Sequence, residues 1–135
     1  MATIRTARTG EHVFTAHNDR GAEVAIGRAG APGTFSPVEL LLAAAAGCVG
    51  ITAEELILRR VSTPIAVDAT DLRPAGAHEL DGVRIDLGLD LSTLDDEARA
   101  ALLAVVDRAV AALCTVTRTL KRSTAVETVA VEISA

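Results

Sequence analysis

Residues 36–56 read SPVELLLAAAAGCVGITAEEL and predict one long helix. Ser36 suits the N-cap, Pro37 the first helical position, and Glu39 completes a capping box with Ser36. The run 40–53 contains no charged residue, so the helix is apolar on nearly every side. Such a helix is normally surrounded by protein. We therefore expect it to run to about Arg59 and to be shared with a second copy of the chain.

The rest of the chain predicts an α+β fold in a single domain, residues 1–135. Alternating apolar residues indicate strands, and a second periodic stretch indicates another helix, capped by Ser92 or Thr93. The expected order is a hairpin around 18–21 with strands at 13–16 and 24–26, the long helix, strands at 65–69 and 83–91, a helix through 113, a short helix at 115–121, and a last strand at 129–133. Antiparallel strands would then cover a central pair of helices.

Composition narrows the classes of function. Half of the 135 residues are apolar, and the net charge of −5 comes from interspersed acidic and basic residues. Nucleic acid is an unfavourable partner, because phosphate binding requires a clustered basic patch. The uncharged run 40–53 is shorter than the ~20 residues that span a bilayer, and no secretory leader opens the chain. These features favour a cytoplasmic protein with no membrane partner.

Two cysteines, Cys48 and Cys114, carry the chemistry that the sequence offers. In a reducing cytosol such thiols are more often free or catalytic than a permanent disulfide. No cluster of His, Asp or Glu accompanies either one, so we expect neither a metal nor another cofactor. Each cysteine taken alone is better explained as a small buried hydrophobe.

The segment FSPVELLLAAAAGCVGI, followed by CTVTRTL with its cysteine 66 positions after Cys48 (114 − 48), resembles the OsmC/Ohr superfamily of thiol-dependent hydroperoxide reductases and osmotically induced proteins. The resemblance extends over nearly the whole chain. It implies an intertwined homodimer in which strands of both chains wrap two long central helices. It also implies that peroxide oxidises Cys48, that Cys114 resolves it as a disulfide, and that a dithiol reductant restores both thiols.

The family site further contains an N-terminal arginine and a glutamate directly after the helix-initial proline. Arg8 matches the arginine, and Arg28 is the alternative. This chain has Val38 where the glutamate is expected, and Glu39 follows one position later. Glu39 precedes Cys48 by nine residues, which at about 100° per residue places it on nearly the opposite side of the helix. We therefore assign Glu39 to the capping box.

Two functions follow from this pattern. The first is reduction of organic hydroperoxides by the Cys48/Cys114 pair, in an apolar pocket that favours bulky substrates over hydrogen peroxide. The alternative is a non-catalytic relative that binds a small hydrophobic or thiol-reactive ligand, or a redox sensor. The cysteine pair favours the first function, and Val38 favours the second. Cys114 is expected to ionise more easily, because it precedes a predicted helix in a basic setting.

Overall fold

A computed structural model of the chain describes residues 1–133. Within them it contains the elements β1 Arg5–Gly10, β2 Val13–His17, β3 Glu23–Ile26, α1 Pro37–Leu58, β4 Ile65–Leu72, β5 Gly82–Leu89, α2 Asp96–Leu113 and α3 Thr115–Leu120. They fall into two compact units, residues 1–47 with 66–88, and residues 48–65 with those from Leu89 onward. This mixture of two long helices and antiparallel sheet confirms the predicted α+β class.

The first unit contains a three-stranded antiparallel sheet in the order β1-β2-β3. The predicted hairpin is confirmed: the side chain of Asn18 accepts hydrogen bonds from the backbone N–H of Arg20 and of Ala22, at 2.9 and 3.0 Å. Gly21 completes this turn with a φ of 91°, which glycine adopts without strain.

Strand β1 was not predicted, because its sequence RTARTG shows no apolar alternation. It forms as an edge strand through backbone pairing with β2, from Arg5 opposite His17 to Gly10 opposite Val13. A hydrogen bond of 2.8 Å between the hydroxyls of Thr9 and Thr15 joins the two strands on one face. Backbone bonding of this kind leaves little signature in side-chain hydropathy.

Strands β4 and β5 pair in a separate two-stranded sheet, as their period-two patterns predicted. Gly88 lies beside Ala66, and Gly82 lies beside Leu72. The start of one strand is therefore opposite the end of the other, which makes the pair antiparallel. Exposure alternates along both strands, so each presents one half-buried and one exposed face.

Helix α1 begins at Pro37 and ends at Leu58, close to the predicted end at Arg59. One stripe of it is buried, at i, i+4 spacing: Ala45, Val49, Ala53 and Ile57. A single chain does not enclose the helix, since Ile51 remains 81% exposed and Leu58 51% exposed. The expectation that a second copy encloses it stays a prediction. The uncovered apolar surface is what a second molecule would have to bury.

By length and composition alone, α1 is also long and apolar enough to cross a membrane, with a mean hydropathy of 1.7 over 18 of its residues. Only 22% of those residues are buried. The sequence estimate counted only the uncharged run 40–53 and was therefore too short, because the helix continues through Glu54 and Glu55. A core helix of a soluble protein satisfies the same criteria. The expectation of no membrane partner stays a prediction.

The second unit contains the end of α1 together with α2 and α3. Its buried apolar residues are Val49, Ala53, Ile57, Val61, Leu102, Val106 and Cys114. Helix α2 is capped by Asp95, whose side chain accepts from the backbone N–H of Ala98 at 2.8 Å, and not by Ser92 or Thr93 as predicted. Ser92 belongs instead to the preceding turn, where its N–H donates to Asp90 at 3.0 Å.

The predicted last strand at 129–133 is also wrong within the chain. Residues 123–133 have no regular secondary structure, and their apolar side chains Val126, Val129, Val131 and Ile133 are 66–89% exposed. A strand requires hydrogen bonds from a neighbouring strand. Within the part of the chain that the structure describes, this segment obtains none.

Candidate functional site

Cys48 lies in α1, and its side chain is half-buried. Thr52 follows one helical turn later and projects on the same side of the helix. Both residues belong to the second unit. A thiol that retains some solvent exposure can be reached by a small substrate, which a fully buried thiol cannot.

Cys114 lies at the junction of α2 and α3, in the same unit. Its backbone N–H closes α2 by donating to Val110 at 3.1 Å, and its carbonyl accepts from Arg118 N–H at 3.0 Å to begin α3. The residue is therefore at once the C-cap of α2 and the N-cap of α3. Its side chain has no exposed surface.

Cys48 lies near enough to Cys114 to affect the pKa of the Cys114 thiol. Burial raises the pKa of the Cys114 thiol, but hydrogen bonds from the Thr117 hydroxyl, the Cys48 thiol, the Thr117 backbone N–H and the Thr52 hydroxyl lower it. The lowering contributions prevail, and the pKa lies below its ordinary value of 9.0. The Cys114 side chain makes no cap hydrogen bond at the start of α3.

This arrangement has a definite chemical capacity. A thiolate is the nucleophilic form of cysteine, and a lowered pKa increases the thiolate fraction near neutral pH. Both cysteines are free thiols in the structure, so the pair is in its reduced form. The expectation that their Cα atoms lie ~4.4–6.8 Å apart, the range of disulfides, stays a prediction.

Glu39 forms the capping box that the sequence predicted. The backbone N–H of Ser36 donates to the Glu39 carboxylate at 2.8 Å, and the N–H of Glu39 donates to the Ser36 hydroxyl at 3.1 Å. The bond from the Ser36 backbone, followed by that involving its side chain, lowers the pKa of Glu39 below its ordinary value of 4.5. This geometry supports a structural role for Glu39 at the start of α1.

Replacing Ser36 with alanine should reduce the free energy of unfolding by about 1 kcal/mol, because it leaves the Glu39 N–H without its acceptor.

Glu39→Gln should reduce the free energy of unfolding by less, since an amide oxygen still accepts from the Ser36 N–H. Its deficit should be present above pH 4.5 and vanish as the pH falls through the lowered pKa of Glu39, where the wild-type carboxylate is protonated. Urea unfolding across this pH range measures both effects. Loss of activity in Glu39→Gln at unchanged stability would contradict the capping role.

The two arginine candidates belong to the first unit, whereas the thiols belong to the second. Arg8 lies in β1 opposite Phe14 and is exposed, and Arg28 lies in the loop after β3 and is also exposed. The participation of either arginine in the thiol site therefore stays a prediction. Val38, in the first turn of α1, cannot accept a hydrogen bond from a guanidinium.

Other groups offer little competing chemistry. In residues 1–133, no three His, Cys, Asp or Glu side chains are grouped so that they could hold a metal ion. An open cleft of about 480 Å³ lies along the β4–β5 connection, lined by residues 71 and 73–78, and Asp71 there pairs with Arg73 at 3.6 Å. This cleft is polar and contains neither cysteine.

The sequence analysis assigned no role to Thr52 or Thr117. Thr117 is buried, and its hydroxyl also donates to the Cys114 carbonyl at 3.3 Å. The positional signals were present, because Thr52 is four residues after Cys48 and Thr117 is three residues after Cys114. Both residues lower the pKa of the Cys114 thiol, and their proximity to it depends on the approach of α1 to the α2–α3 junction.

Comparison with known proteins agrees with this fold. The profile of the OsmC-like protein family matches residues 30–129. Uncharacterized proteins of Mycobacterium tuberculosis and Mycobacterium bovis are 34% identical over 140 residues, covering all of both chains. An OsmC-like protein from Mycoplasma pneumoniae has a similar structure, with a TM-score of 0.69 and 17% identity over 90% of this chain and 87% of its own. A hypothetical protein from Aquifex aeolicus gives a TM-score of 0.69 and 18% identity over the same shares.

Proposed function

Because this chain belongs to the OsmC-like protein family, we propose that it reduces organic hydroperoxides with the Cys48/Cys114 pair. The observation that carries the proposal is the proximity of the two thiols, one half-buried and one fully covered by its own chain. The half-buried Cys48 is the thiol that a peroxide can reach, and Cys114 stands beside it to react next.

The proposed cycle has three steps. The Cys48 thiolate attacks the terminal oxygen of the hydroperoxide, so that an S–O bond forms, the O–O bond breaks, and the alkoxide takes a proton to leave as alcohol. The Cys114 thiolate then attacks the sulfenic sulfur, forming the disulfide and releasing hydroxide, which becomes water on protonation. A dithiol reductant finally exchanges with the disulfide and is itself oxidised, which restores both thiols.

We also propose that the active form is an intertwined cytoplasmic homodimer. Exposed apolar side chains along α1 and in residues 126–133 support an assembly that buries them. A reducing compartment would keep both cysteines available as thiols. Arg8 is the residue that we propose as the cation beside Cys48, with Arg28 as the alternative, because an arginine is always charged and would stabilise the thiolate.

The alternative function is a redox sensor, or a protein that binds a small hydrophobic or thiol-reactive ligand. Val38 favours it, because the position after Pro37 lacks a carboxylate that would orient the arginine. A loosely held cation lowers the rate of peroxide attack without removing the thiol pair. We therefore expect modest activity.

The proposal predicts that the reduced protein consumes cumene hydroperoxide faster than hydrogen peroxide in the presence of a dithiol. Burying apolar carbon contributes about 0.8 kcal/mol per methylene, so even partial burial of the cumyl group should raise kcat/KM roughly tenfold. Loss of hydroperoxide is followed colorimetrically, with thiol-alkylated protein as the control. Absence of turnover with every dithiol tested would reject the enzyme and leave the sensor or binding function.

A further inference from the structure

The C-terminal segment 126–133 exposes apolar side chains in the pattern of a strand. Val129, Val131 and Ile133 alternate with Ala130 and Glu132, and all three are largely exposed. Within the part of the chain that the structure describes, no backbone hydrogen bond reaches this segment. An alternating segment of this kind becomes a strand when the edge of a sheet in another molecule supplies the missing hydrogen bonds.

Strand β1 offers a free edge of the kind that such a segment needs. In the described chain it is an outer strand of the order β1-β2-β3 and pairs with β2 alone, so a row of its backbone N–H and C=O groups has no partner strand. Its side chains are exposed from Arg5 to Thr9. The other outer strand, β3, is less open, because Phe35 forms a bridge with Ile26 on that side.

Charge distinguishes β1 as the host for this segment. Residues 123–133 carry Glu127 and Glu132 and no cation, whereas β1 carries Arg5 and Arg8 and no acid. Within residues 1–133, neither arginine takes part in an ion pair. Charged side chains on an edge strand normally discourage pairing with a stray apolar segment, but arginines attract an acidic one.

The sheet of β4 and β5 is a less suitable host. Strand β4 carries Asp68 and Asp71 and no cation, so it would repel the two glutamates. On β5, the guanidinium of Arg84 already donates to the Asp86 carboxylate at 3.0 and 3.1 Å. Charge complementarity therefore favours β1.

The two faces of the three-stranded sheet limit the register of an added strand. Arg8, Phe14 and Ile26 are direct neighbours across the three strands and share one face. Ile4, just before β1, falls on the same face by alternation and is 59% exposed. An added strand must place its apolar side chains on this face, because a slip of one residue would turn them to the other.

We propose that residues 128–133 of one copy add to β1 of a second copy as an antiparallel strand, with Ile133 opposite Ile4 and Glu132 opposite Arg5. The apolar side chains at alternate positions then extend the apolar face, and the carboxylate meets the guanidinium on the opposite face. Two-fold symmetry repeats the pairing, so each copy gives one strand and receives one. This pairing rests on the proposed homodimer and names the segment that each copy contributes to it.

Engineered cysteines test the pairing directly. One variant carries Arg5→Cys and another carries Glu132→Cys, both with Cys48 and Cys114 replaced by alanine. Directly opposite residues of antiparallel strands lie about 4.5–5.5 Å apart at Cα, which a disulfide can bridge. Oxidation of the two variants refolded together should therefore give a covalent dimer on a non-reducing gel, and neither variant alone should give one. Val131→Cys, used in place of Glu132→Cys, is the matched control, because position 131 lies on the other face.

Charge reversal provides a second test, with both native cysteines retained and kept reduced. Arg5→Glu should weaken the dimer about tenfold, because an attractive cross-strand pair becomes repulsive in both halves of the dimer. Arg5→Glu combined with Glu132→Arg should restore the affinity. Arg20→Glu is the control, because Arg20 lies in the turn between β2 and β3 and should leave the dimer unchanged. Sedimentation velocity measures the affinity of each variant.

The outcomes separate the strand pairing from the proposed function. Failure of Arg5→Cys and Glu132→Cys to cross-link in folded, dimeric protein would overturn the pairing while the homodimer stands, and so would equal cross-linking by Val131→Cys. If the alanine background does not fold, charge reversal decides, and a double variant that recovers no affinity overturns the pairing. Neither measurement depends on peroxide reduction, so the pairing and the peroxidase proposal can fail separately.

Discussion

Cys48→Ser is expected to abolish peroxide reduction, lowering turnover more than about a thousandfold, because a serine hydroxyl is not ionised near neutral pH and cannot replace the thiolate. Cys114→Ser should behave differently. It should consume a single equivalent of hydroperoxide per chain and stop, since Cys48 is oxidised but nothing resolves it. Burst measurements of peroxide loss, combined with intact mass, distinguish the two variants.

The comparison of the two serine variants contains its own control. Both replace sulfur by oxygen, but Cys114 is fully buried and Cys48 is not, so unfolding curves must show that each variant remains folded. Multiple turnovers in Cys114→Ser would contradict its role as the resolving thiol. Full activity in Cys48→Ser would assign the peroxide reaction to another residue.

Ile51→Asp should produce the largest change in assembly. Ile51 is 81% exposed on an otherwise apolar helix, and we expect a second copy to cover it. Burying an isoleucine contributes about 1.5–3 kcal/mol, and a two-fold axis doubles that loss. An unpaired carboxylate in the interface adds to it. Dimer affinity should therefore fall more than about a hundredfold.

Sedimentation velocity over a range of protein concentrations measures this affinity directly. Ile51→Val is the matched control, because it retains an apolar side chain and should leave the dimer nearly intact. A wild-type protein that sediments as a folded monomer at micromolar concentration would refute the assembly proposal. An unchanged dimer in Ile51→Asp would place the interface on another surface.

The sequence predicted those elements whose signal is local. The capping box of Ser36 and Glu39 fixed the start of α1, and period-two alternation located β4 and β5. Strand β1 was missed because it depends on backbone pairing with β2. The strand expected at 129–133 does not form within the described chain, because no neighbouring strand pairs with that segment there. Local pattern indicates what a segment can form, and pairing decides whether it does.

The candidate site divides in the same way. Cys48 and Cys114 were found through the spacing of two motifs. Thr52 and Thr117 could be identified only from the structure, in which two distant segments of the chain lie close together. Thr117 resembles the other threonines of its helix, Thr115 and Thr119, in composition and helix position, and only its burial separates it from them. No property of a single segment could identify which threonine is buried beside Cys114.

The groups around Cys114 are neutral, and this affects how the ionisation of its thiol responds to salt. Dissolved ions screen charges that are exposed to solvent, with a Debye length of about 8 Å at physiological ionic strength. The Cys114 side chain has no exposed surface, so dissolved ions do not contact it. A thiolate held by a surface lysine would become harder to form as salt accumulates. The ionisation of the covered Cys114 should therefore change little between dilute and concentrated salt.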